Sequence, residues 1–257
     1  MGNYKLAEMA KETLKIAKQG YYYLDGKKIE LTKINGMYDY DDVSVLDEEK
    51  LNAIEDDGDE FFERCFNATN GANFYLVNGD SYQIAYEFEH PLVMNFANAI
   101  HPGGGFLNGA RAQEESLCRN STLYLSLASE KAQEMYNYNR NNLNPLDSDY
   151  MLVTPDVCVF RDLHGELLPE PYNVSVVTIP APNKNGRAKG VEQSTLDDVM
   201  TYRLRRMLYM AARYGYIDLT RVGIHGHSGG GFMSTAAILQ YPDFYKAAVS
   251  CAGNHDN

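Results

Sequence analysis

The chain contains no tryptophan, only four cysteines and no apolar run of membrane-spanning length. A helix needs about 20 apolar residues to cross a bilayer, and the charged first twenty residues lack the apolar core of a secretory signal. The cysteines are widely spaced and form no C-x-x-C pair, which argues against a disulfide framework and a zinc knuckle. These absences predict a cytoplasmic protein. The cysteines are Cys65, Cys118, Cys158 and Cys251.

Positive charge is also scarce: 23 Lys and Arg stand against 35 Asp and Glu, and the formal net charge is −12. Tracking of a nucleic-acid backbone requires a basic surface, so nucleic acid is not an expected partner. A small anion is compatible with this charge, because backbone N–H groups and helix N-termini bind phosphate without side-chain charge. The hydrophobic fraction of 44% and the length of 257 residues are typical of a folded protein.

The first sixty residues have a pattern of their own. Apolar residues recur at three- and four-residue intervals over 3–19, which predicts an amphipathic helix that ends before Gly20. Two β-prone runs about Asp25–Gly26 predict a hairpin. Residues 39–60 are rich in Asp and Glu but lack the spacing of an EF-hand calcium loop, so we predict a solvated acidic helix and loop there.

From about residue 61, short apolar runs alternate with helical patterns. This alternation predicts an α/β fold whose parallel or mixed sheet is covered on both faces. Ligands of such sheets bind where strands end, so the loops that leave the strands are the candidate sites. Strands are predicted at 74–77, 92–96, 151–153, 157–160, 174–179 and 222–225, and helices at about 113–128, 194–213 and 231–240.

One segment combines the strand 92–96 with the triple glycine Gly103–Gly105 and with Gln113–Glu115 at the start of a helix. Successive glycines let a backbone approach a ligand closely, and their N–H groups can hold phosphate oxygens. A triple glycine by itself is more typical of a flexible loop. A glutamate pair by itself is weaker still, because carboxylates are common in the first turn of any helix.

The combination is more specific than its parts. Seven residues separate the glycines from Gln113, the strand ends in Asn-Phe-Ala-Asn, and the helix reads RAQEESLCRNSTLY. With VVTIPAPN further on, this pattern resembles the bacterial-type poly(ADP-ribose) glycohydrolases, a macrodomain family, over about residues 3–213. The resemblance implies a macrodomain-like three-layer α/β/α sandwich with a mixed central sheet. Residues 1–60 would be an N-terminal helix and hairpin extension, and 61–257 the catalytic domain.

Cleavage of a ribose–ribose bond passes through an oxocarbenium-like centre and needs a proton for the leaving oxygen. Neighbours on a helix diverge by about 100°, so Glu114 and Glu115 cannot face each other across a substrate, and one carboxylate must serve as acid and base. The resemblance assigns that catalytic role to Glu115 and the anchoring of ribose hydroxyls to Glu114. It requires no metal or cofactor. The substrate-binding residues that it implies here are Asn98, Gly103, Gly104, Gly105 and Gln113.

Two further residues have both a functional and a structural interpretation. His101 lies beside the glycines, where a structural or solvated role is more common for a loop histidine than catalysis. Asn183 follows the predicted strand 174–179 and could line the pocket, but the turn chemistry of PAPNKNG accounts for it equally well.

Residues 214–257 do not fit the glycohydrolase pattern. They resemble the nucleophile-elbow region of prolyl-oligopeptidase-type serine peptidases, and Gly226–Gly230 satisfies G-x-S-x-G between a predicted strand and a helix. Such hydrolases place their acid and histidine after the serine, but only 29 residues follow Ser228, and His255 and Asp256 come in reversed order. A serine without a base is an ordinary alcohol, so serine hydrolysis is the least favoured function.

The same segment has another interpretation. In the macrodomain family the last strand leads to a second glycine-rich loop around the diphosphate and distal ribose, and Gly230, Gly231 and Phe232 could occupy that place. Backbone N–H groups do not depend on side-chain identity, so such a replacement can preserve anion binding. The junction near Arg213–Tyr214 indicates a fusion, a recombination product or a truncation, and the sequence does not distinguish these.

The residues and the resemblance together predict hydrolysis of ribose–ribose O-glycosidic bonds in poly(ADP-ribose), with release of ADP-ribose. The alternative is an ADP-ribose-binding module with weak or no catalysis, because the second glycine loop is replaced. The expected partner is ADP-ribose or poly(ADP-ribose), with no membrane involved. The sequence leaves the oligomeric state and the preferred chain length open.

Overall fold

The computed structural model describes residues 3–31, 42–56, 79–89, 91–213, 223–227 and 247–251, with Thr235 and Leu239. Its helices are α1 (Asn3–Gln19), α2 (Glu48–Asp56), α3 (Ser81–Ala85), α4 (Gln113–Asn120), α5 (Leu123–Leu127), α6 (Gln133–Asn141) and α7 (Gln193–Arg213). Its strands are β1 (Tyr21–Leu24), β2 (Lys27–Glu30), β3 (Ser44–Leu46), β4 (Leu92–Ala97), β5 (Met151–Arg161), β6 (Leu167–Pro180), β7 (Gly223–His227) and β8 (Ala247–Cys251).

Four strands form a central sheet in the order β3-β5-β6-β4. Strand β4 runs parallel to β6, whereas β5 runs antiparallel to both β6 and β3, so the sheet is mixed, as predicted. Strands β7 and β8 pair in parallel with each other. The carboxyl end of β4 lies beside the carboxyl end of β6, since Ala97 pairs with Pro180, and both strands open onto loops there.

Both faces of the central sheet are covered. Val176 and Val177 are neighbours in β6 and therefore point to opposite faces, and both are almost completely buried. One cluster of buried side chains joins the sheet to α1 and to helices α3 to α6. Outside this cluster α7 packs against α2, and Arg203 of α7 donates to the carbonyl of Pro180 at the end of β6. The predicted three-layer α/β arrangement is confirmed.

The N-terminal helix and hairpin are confirmed. Helix α1 ends at Gln19, and Gly20 follows with a φ of +79°. Strands β1 and β2 are antiparallel, and both residues of the turn between them, Asp25 and Gly26, have positive φ. Positive φ at both central residues is the geometry of a type I′ hairpin turn, for which Asp-Gly is a favoured sequence.

The acidic segment differs from its prediction. Strand β3 lies within residues 39–60 and pairs with β5 at the edge of the central sheet, and its Val45 and Leu46 are buried. The prediction of a solvated helix and loop is therefore wrong at this strand, although α2 follows it. Three strand residues are too few for a periodic signal, and only the distant partner β5 makes them a strand.

The helix predicted at 113–128 is divided into α4 and α5. The chain between them is extended at Ser121, and the N–H of Thr122 donates to the carbonyl of Cys158 in β5 at 3.0 Å. The Thr122 hydroxyl accepts from the N–H of Cys158 at 3.0 Å. These contacts with a strand distant in sequence replace the helical hydrogen bonds, which the local pattern could not indicate.

Strand β5 is continuous over the two runs predicted at 151–153 and 157–160. Its pairing with β6 shifts between Thr154 and Val157, and Asp156 has a φ of +50° there. Pro155 falls in this irregularity, where a residue without an N–H is tolerated. Because of Pro155, the sequence pattern of this one bulged strand was interpreted as two strands. The predicted strand 74–77 and most of the predicted helix 231–240 lie outside the described residues.

Helix α1 is tied to α4. The buried hydroxyl of Thr13 donates to the carbonyl of Arg119 near the end of α4 at 2.7 Å, and it accepts from Arg161 Nε at 3.4 Å. The last carbonyls of a helix have no partner within the helix, so this contact satisfies one of them. Helix α1 thus holds the C-terminal end of α4.

We predict that Thr13→Val lowers the free energy of unfolding by about 1–3 kcal/mol, because the near-isosteric valine leaves a buried carbonyl without its donor. Urea unfolding of the purified variant measures this change. Thr13→Ser is the matched control, since it restores the hydroxyl and is expected to recover most of the loss. Equal stability of the valine and serine variants would contradict the prediction.

Within the parts of the chain that the structure describes, none of the helices is long and apolar enough to span a membrane.

Candidate active site

The candidate site lies where β4 ends. Gln113, the first residue of α4, fastens this helix to the strand: its Oε1 accepts from the N–H of Phe96 at 3.0 Å, and its Nε2 donates to the carbonyl of Met94 at 2.6 Å. Both polar atoms of the side chain are thus engaged with the main chain of β4. Gln113 therefore positions α4, and the contact with ribose that the resemblance implied stays a prediction.

The two glutamates of α4 are held by main-chain N–H groups from different parts of the loop. Glu114 Oε2 accepts from the N–H of Asn98 at 2.8 Å, and Glu115 Oε1 accepts from the N–H of Gly105 at 2.8 Å. Both side chains are buried, with 3% and 7% exposure. Each second oxygen, Glu114 Oε1 and Glu115 Oε2, is buried with no hydrogen-bond partner. Unsatisfied buried oxygens are unfavourable in a folded protein and mark positions where a ligand hydroxyl would be stabilised.

The glycine loop approaches these carboxylates more closely than any other residue type permits. Gly103 and Gly104 have φ values of +67° and +55°. A Cβ on Gly104 would lie 2.5 Å from Glu115 Oε1 and 3.0 Å from Glu114 Oε2, so one oxygen of each glutamate lies beside the same point of the backbone. A Cβ on Gly105 would lie 2.6 Å from the Cβ of Ala110. Gly103 and Gly104 are therefore required for backbone conformation, and Gly104 and Gly105 for space.

The N–H groups of the glycine loop are engaged by other groups of the protein. That of Gly103 faces the carboxylate of Glu114, that of Gly104 donates to the carbonyl of His101 at 2.9 Å, and that of Gly105 donates to Glu115. The phosphate contacts predicted for these N–H groups stay a prediction. The loop orients the two carboxylates, because a tight turn over a helix start points its amides inward.

Burial makes Glu114 a weak acid. Desolvation is the largest effect, the negative charge of Glu115 adds to it, and together they raise the pKa of Glu114 to about 8 against the opposing hydrogen bond from Asn98. Glu114 is therefore mostly protonated at neutral pH. A protonated carboxyl can donate one hydrogen bond and accept others, which suits a residue that holds sugar hydroxyls.

This raised pKa has a consequence for stability. A carboxyl whose pKa is higher in the folded state destabilises the fold as pH rises from its ordinary value of 4.5 to about 8, by at most about 1.4 kcal/mol for each pH unit. We predict that Glu114→Gln is more stable than the parent protein above this window and that the difference disappears below it. Urea unfolding at pH values on both sides of the window measures the effect. The exposed Glu170→Gln variant is the control, and an equal pH dependence of both variants would refute the prediction.

Asn98 connects the strand end to the glycine loop. Its Oδ1 accepts from the N–H groups of Ile100 at 3.0 Å and His101 at 2.9 Å, while its own N–H holds Glu114. The structure thus brings Asn98 and Glu114 together, as the resemblance implied. The His101 side chain is exposed, and its contribution to the loop is through its main chain.

Asn183 is engaged in turn formation. Its Oδ1 accepts from the N–H of Asn185 at 3.0 Å, and its carbonyl accepts from the N–H groups of Gly186 and Ala188. This is the turn chemistry that the sequence PAPNKNG predicts. The structure therefore supports the structural interpretation of this asparagine.

Three residues near the site have no counterpart in the sequence prediction: Arg119, Tyr136 and Arg140. Arg119 is buried in α4, four residues after Glu115, and its Nη1 donates to the carbonyl of Ala110 at 2.5 Å. Burial lowers the pKa of Arg119, and the charge of Glu115 opposes that shift. The i, i+4 spacing on α4 was the available signal, because such residues lie on one face of a helix.

The remaining predicted site residues fall outside the described residues: Gly230, Gly231 and Phe232 of the second loop, and Ser228 of the peptidase-like motif. Strand β7 ends one residue before Ser228. Within the described ranges no three histidine, cysteine, aspartate or glutamate side chains gather in a way that could hold a metal ion.

Comparison with known proteins gives two distinct similarities. A family model described as microbial-type PARG, catalytic domain, matches residues 10–162. The structure is similar to poly(ADP-ribose) glycohydrolase from Thermomonospora curvata, with 25% identity, a TM-score of 0.77 and coverage of 96% of this chain and 93% of that chain. The complex of that protein with the inhibitor ADP-HPD matches with 25% identity, a TM-score of 0.75 and coverage of 99% and 95%. A Deinococcus radiodurans poly(ADP-ribose) glycohydrolase in complex with ADP-ribose matches with 27% identity, a TM-score of 0.67 and coverage of 83% and 89%.

The second similarity concerns the C-terminal part. A model of the prolyl oligopeptidase family matches residues 189–257. Dipeptidyl peptidase 8 from Homo sapiens is 50% identical over 44 residues, which are 17% of this chain and 5% of the peptidase, and the Mus musculus protein is 48% identical over the same length. The chain thus spans about 5% of the length of these curated relatives. The predicted resemblance of the C-terminal segment to such peptidases is confirmed at the level of sequence.

Proposed function

The chain belongs to the family of microbial-type PARG catalytic domains, and from this premise we propose that it hydrolyses ribose–ribose O-glycosidic bonds in poly(ADP-ribose) and releases ADP-ribose. The observation that carries the proposal is the state of Glu115. One carboxylate oxygen is fixed by the N–H of Gly105, and the other is buried without a partner. A buried carboxyl held in one orientation suits proton transfer to a leaving oxygen.

Glu115 acts as general acid and then as general base. It delivers a proton to the leaving ribose oxygen as the glycosidic bond breaks and an oxocarbenium-like centre forms, and its carboxylate then removes a proton from the attacking water. Many glycosidases divide these roles between carboxylates on opposite faces of the sugar. Glu114 and Glu115 instead converge on the same side of Gly104, which favours a single carboxyl in both roles.

Glu114 and Asn98 hold the ribose. The partly buried Asn98 lies next to Glu114, and the unpartnered Oε1 of Glu114 is available to a sugar hydroxyl. The pKa of Glu114, raised to about 8, keeps this carboxyl mostly neutral near pH 7, so that it adds little negative charge to the site. Gly103–Gly105 lie against the carboxylates, and a side chain at Gly104 would collide with them.

The diphosphate is proposed to lie against the C-terminal segment. Because the N–H groups of the first loop are directed inward, the phosphate contacts fall to the second loop, for which Gly230, Gly231 and Phe232 are the candidates. Residues 214–257 would then complete the 61–257 domain despite their peptidase-like sequence. This part of the proposal rests on the glycine content of the segment and on backbone anion binding.

Incubation of the purified chain with poly(ADP-ribose), followed by quantification of free ADP-ribose, tests the proposed function. Release supports the glycohydrolase. The competing function is an ADP-ribose-binding module, which the altered second loop favours. Calorimetric binding of ADP-ribose without any release by folded protein would leave that module as the function.

Serine hydrolysis is the third candidate, and the similarity to dipeptidyl peptidase 8 is the observation in its favour. It predicts covalent labelling of Ser228 by a fluorophosphonate probe. Folded protein that remains unlabelled, and a Ser228→Ala variant with unchanged release of ADP-ribose, would exclude this function.

A further inference from the structure

Helix α6 reaches the candidate site at two positions. Arg140 Nη1 donates to the carbonyl of Ile100 at 2.8 Å, in the turn that precedes the glycines. Its Nη2 is held by Gln133 Oε1 at 2.9 Å and by Asn137 Oδ1 at 2.7 Å, both on α6 itself. The guanidinium is thus oriented by its own helix before it contacts the loop. A planar group with several fixed donors suits this bridging role, which an ammonium fills less well.

A chain of hydrogen bonds leads from Arg140 to Glu114. The carbonyl of Ile100 accepts from Arg140, the N–H of Ile100 donates to Asn98 Oδ1 at 3.0 Å, and the N–H of Asn98 donates to Glu114 Oε2 at 2.8 Å. Each contact orients the group that makes the next one. A change at Arg140 is therefore transmitted to the carboxylate through two residues of the loop.

Tyr136 lies four residues before Arg140, on the same face of α6, and it is fully buried. Its hydroxyl has no hydrogen-bond partner among the described residues, and neither has Glu114 Oε1. Burial raises the pKa of Tyr136, and the charge of Glu114 raises it further, ahead of contributions from Cys118 and Tyr124. Buried polar atoms are almost always bonded, directly or through one water. Since neither of these two atoms has a direct partner within the described part of the chain, a bridging water is the contact through which the phenol would support the carboxyl.

We propose that α6 is the positioning element for Glu114: Arg140 holds the Asn98–His101 turn against the carboxyl, and the Tyr136 hydroxyl supports it from the protein interior. This inference deepens the proposed function and rests on it, because it assigns two positioning residues to the same site. Neither residue needs to contact the substrate. The role is not apparent from the sequence QEMYNYNRN, in which the buried residues are Met135, Tyr136 and Asn139.

The test uses the full-length chain with Arg140→Met, Arg140→Lys and Tyr136→Phe. Controls are Lys15→Met, which removes an exposed positive charge on α1, and Tyr138→Phe, which removes a hydroxyl from the exposed face of α6. Amide hydrogen exchange at Asn98 reports the turn directly and does not depend on turnover. Steady-state release of ADP-ribose from poly(ADP-ribose) gives kcat and KM.

Arg140→Met is expected to speed exchange at Asn98 by about 10-fold, and to lower kcat by about 10-fold with KM within about twofold, because misplacement of a reacting group acts on the chemical step. Arg140→Lys is expected to restore part of the slow exchange at Asn98 and part of kcat. Tyr136→Phe is expected to lower kcat by about fivefold, again without a matching change in KM. The two controls leave exchange and kinetics unchanged.

A different outcome would overturn the inference. If Arg140→Met leaves exchange at Asn98 unchanged and raises KM in a salt-dependent way, and Arg140→Lys restores it fully, Arg140 binds a substrate phosphate and is not a positioning residue. If Tyr136→Phe behaves as Tyr138→Phe does, the phenol has no role. If the parent protein shows no turnover, the proposed function is refuted but the inference about α6 is not. Amide exchange at Asn98 in the Arg140 variants then decides whether α6 positions the turn.

Discussion

Replacement of Glu115 by glutamine is expected to lower the release of ADP-ribose from poly(ADP-ribose) by about 10²- to 10⁴-fold, the range typical of a lost general acid–base. Glutamine has nearly the same shape, and its carbonyl oxygen can still accept from the N–H of Gly105, the contact that now holds Glu115 Oε1 at 2.8 Å. The variant therefore keeps the loop and loses only the transferable proton. Binding of ADP-ribose, measured by calorimetry, is expected to change little.

The matched control for this prediction is Glu170→Gln, which makes the same chemical change at an exposed position. It is expected to leave release and binding unaltered. Residual activity of Glu115→Gln above about one tenth of the parent value would contradict the assignment of Glu115 as acid and base. Loss of ADP-ribose binding together with activity would instead indicate that the carboxylate is needed to build the site.

Gly104→Ala is expected to abolish activity while the fold is largely retained. The backbone there has a φ of +55°, which costs an alanine about 1–2 kcal/mol. The added Cβ would also lie 2.5 Å from Glu115 Oε1 and 3.0 Å from Glu114 Oε2, so at least one carboxylate must move. Displacement of a catalytic group by about 1 Å can cost about 100-fold in rate.

Gly26→Ala separates the cost of a positive φ from the displacement of a carboxylate. Gly26 has a φ of +76° in the β1–β2 turn, but a Cβ there would meet nothing within 4 Å. This control is expected to lose about 1–2 kcal/mol of stability, with unchanged release of ADP-ribose. Urea unfolding and turnover of both variants give the comparison. If Gly104→Ala loses no more activity than Gly26→Ala, the close approach of the loop to the carboxylates has no catalytic importance.

The buried carboxyl pair lowers the stability of the fold at the site. Two carboxylate oxygens lie unpartnered in the interior, and the pKa of Glu114 is raised to about 8. A helix start with two engaged or exposed carboxylates would be more stable, since acidic groups there interact favourably with the helix dipole. Retention of an unfavourable arrangement is typical of sites where a ligand supplies the missing contacts.

Local signals were sufficient for much of the fold. The period of α1 and the Asp25–Gly26 turn depend on neighbours in sequence, and both are confirmed. Where a distant strand supplied the hydrogen bonds, the prediction failed: β3 and the break at Ser121 both exist because of β5. Helix α6 was not predicted, and two of its three buried residues, Tyr136 and Asn139, carry polar groups.

The sequence alone was sufficient for the family, for the α/β class and for the meeting of a triple glycine with a glutamate pair. These depend on residue types and spacings, which are properties of the chain alone. Three properties of the site are seen only in the folded protein: which N–H holds each carboxylate, how Gln113 joins α4 to β4, and how burial makes Glu114 a weak acid. Such properties depend on distances and solvent exclusion between segments far apart in the chain, and no local pattern contains them.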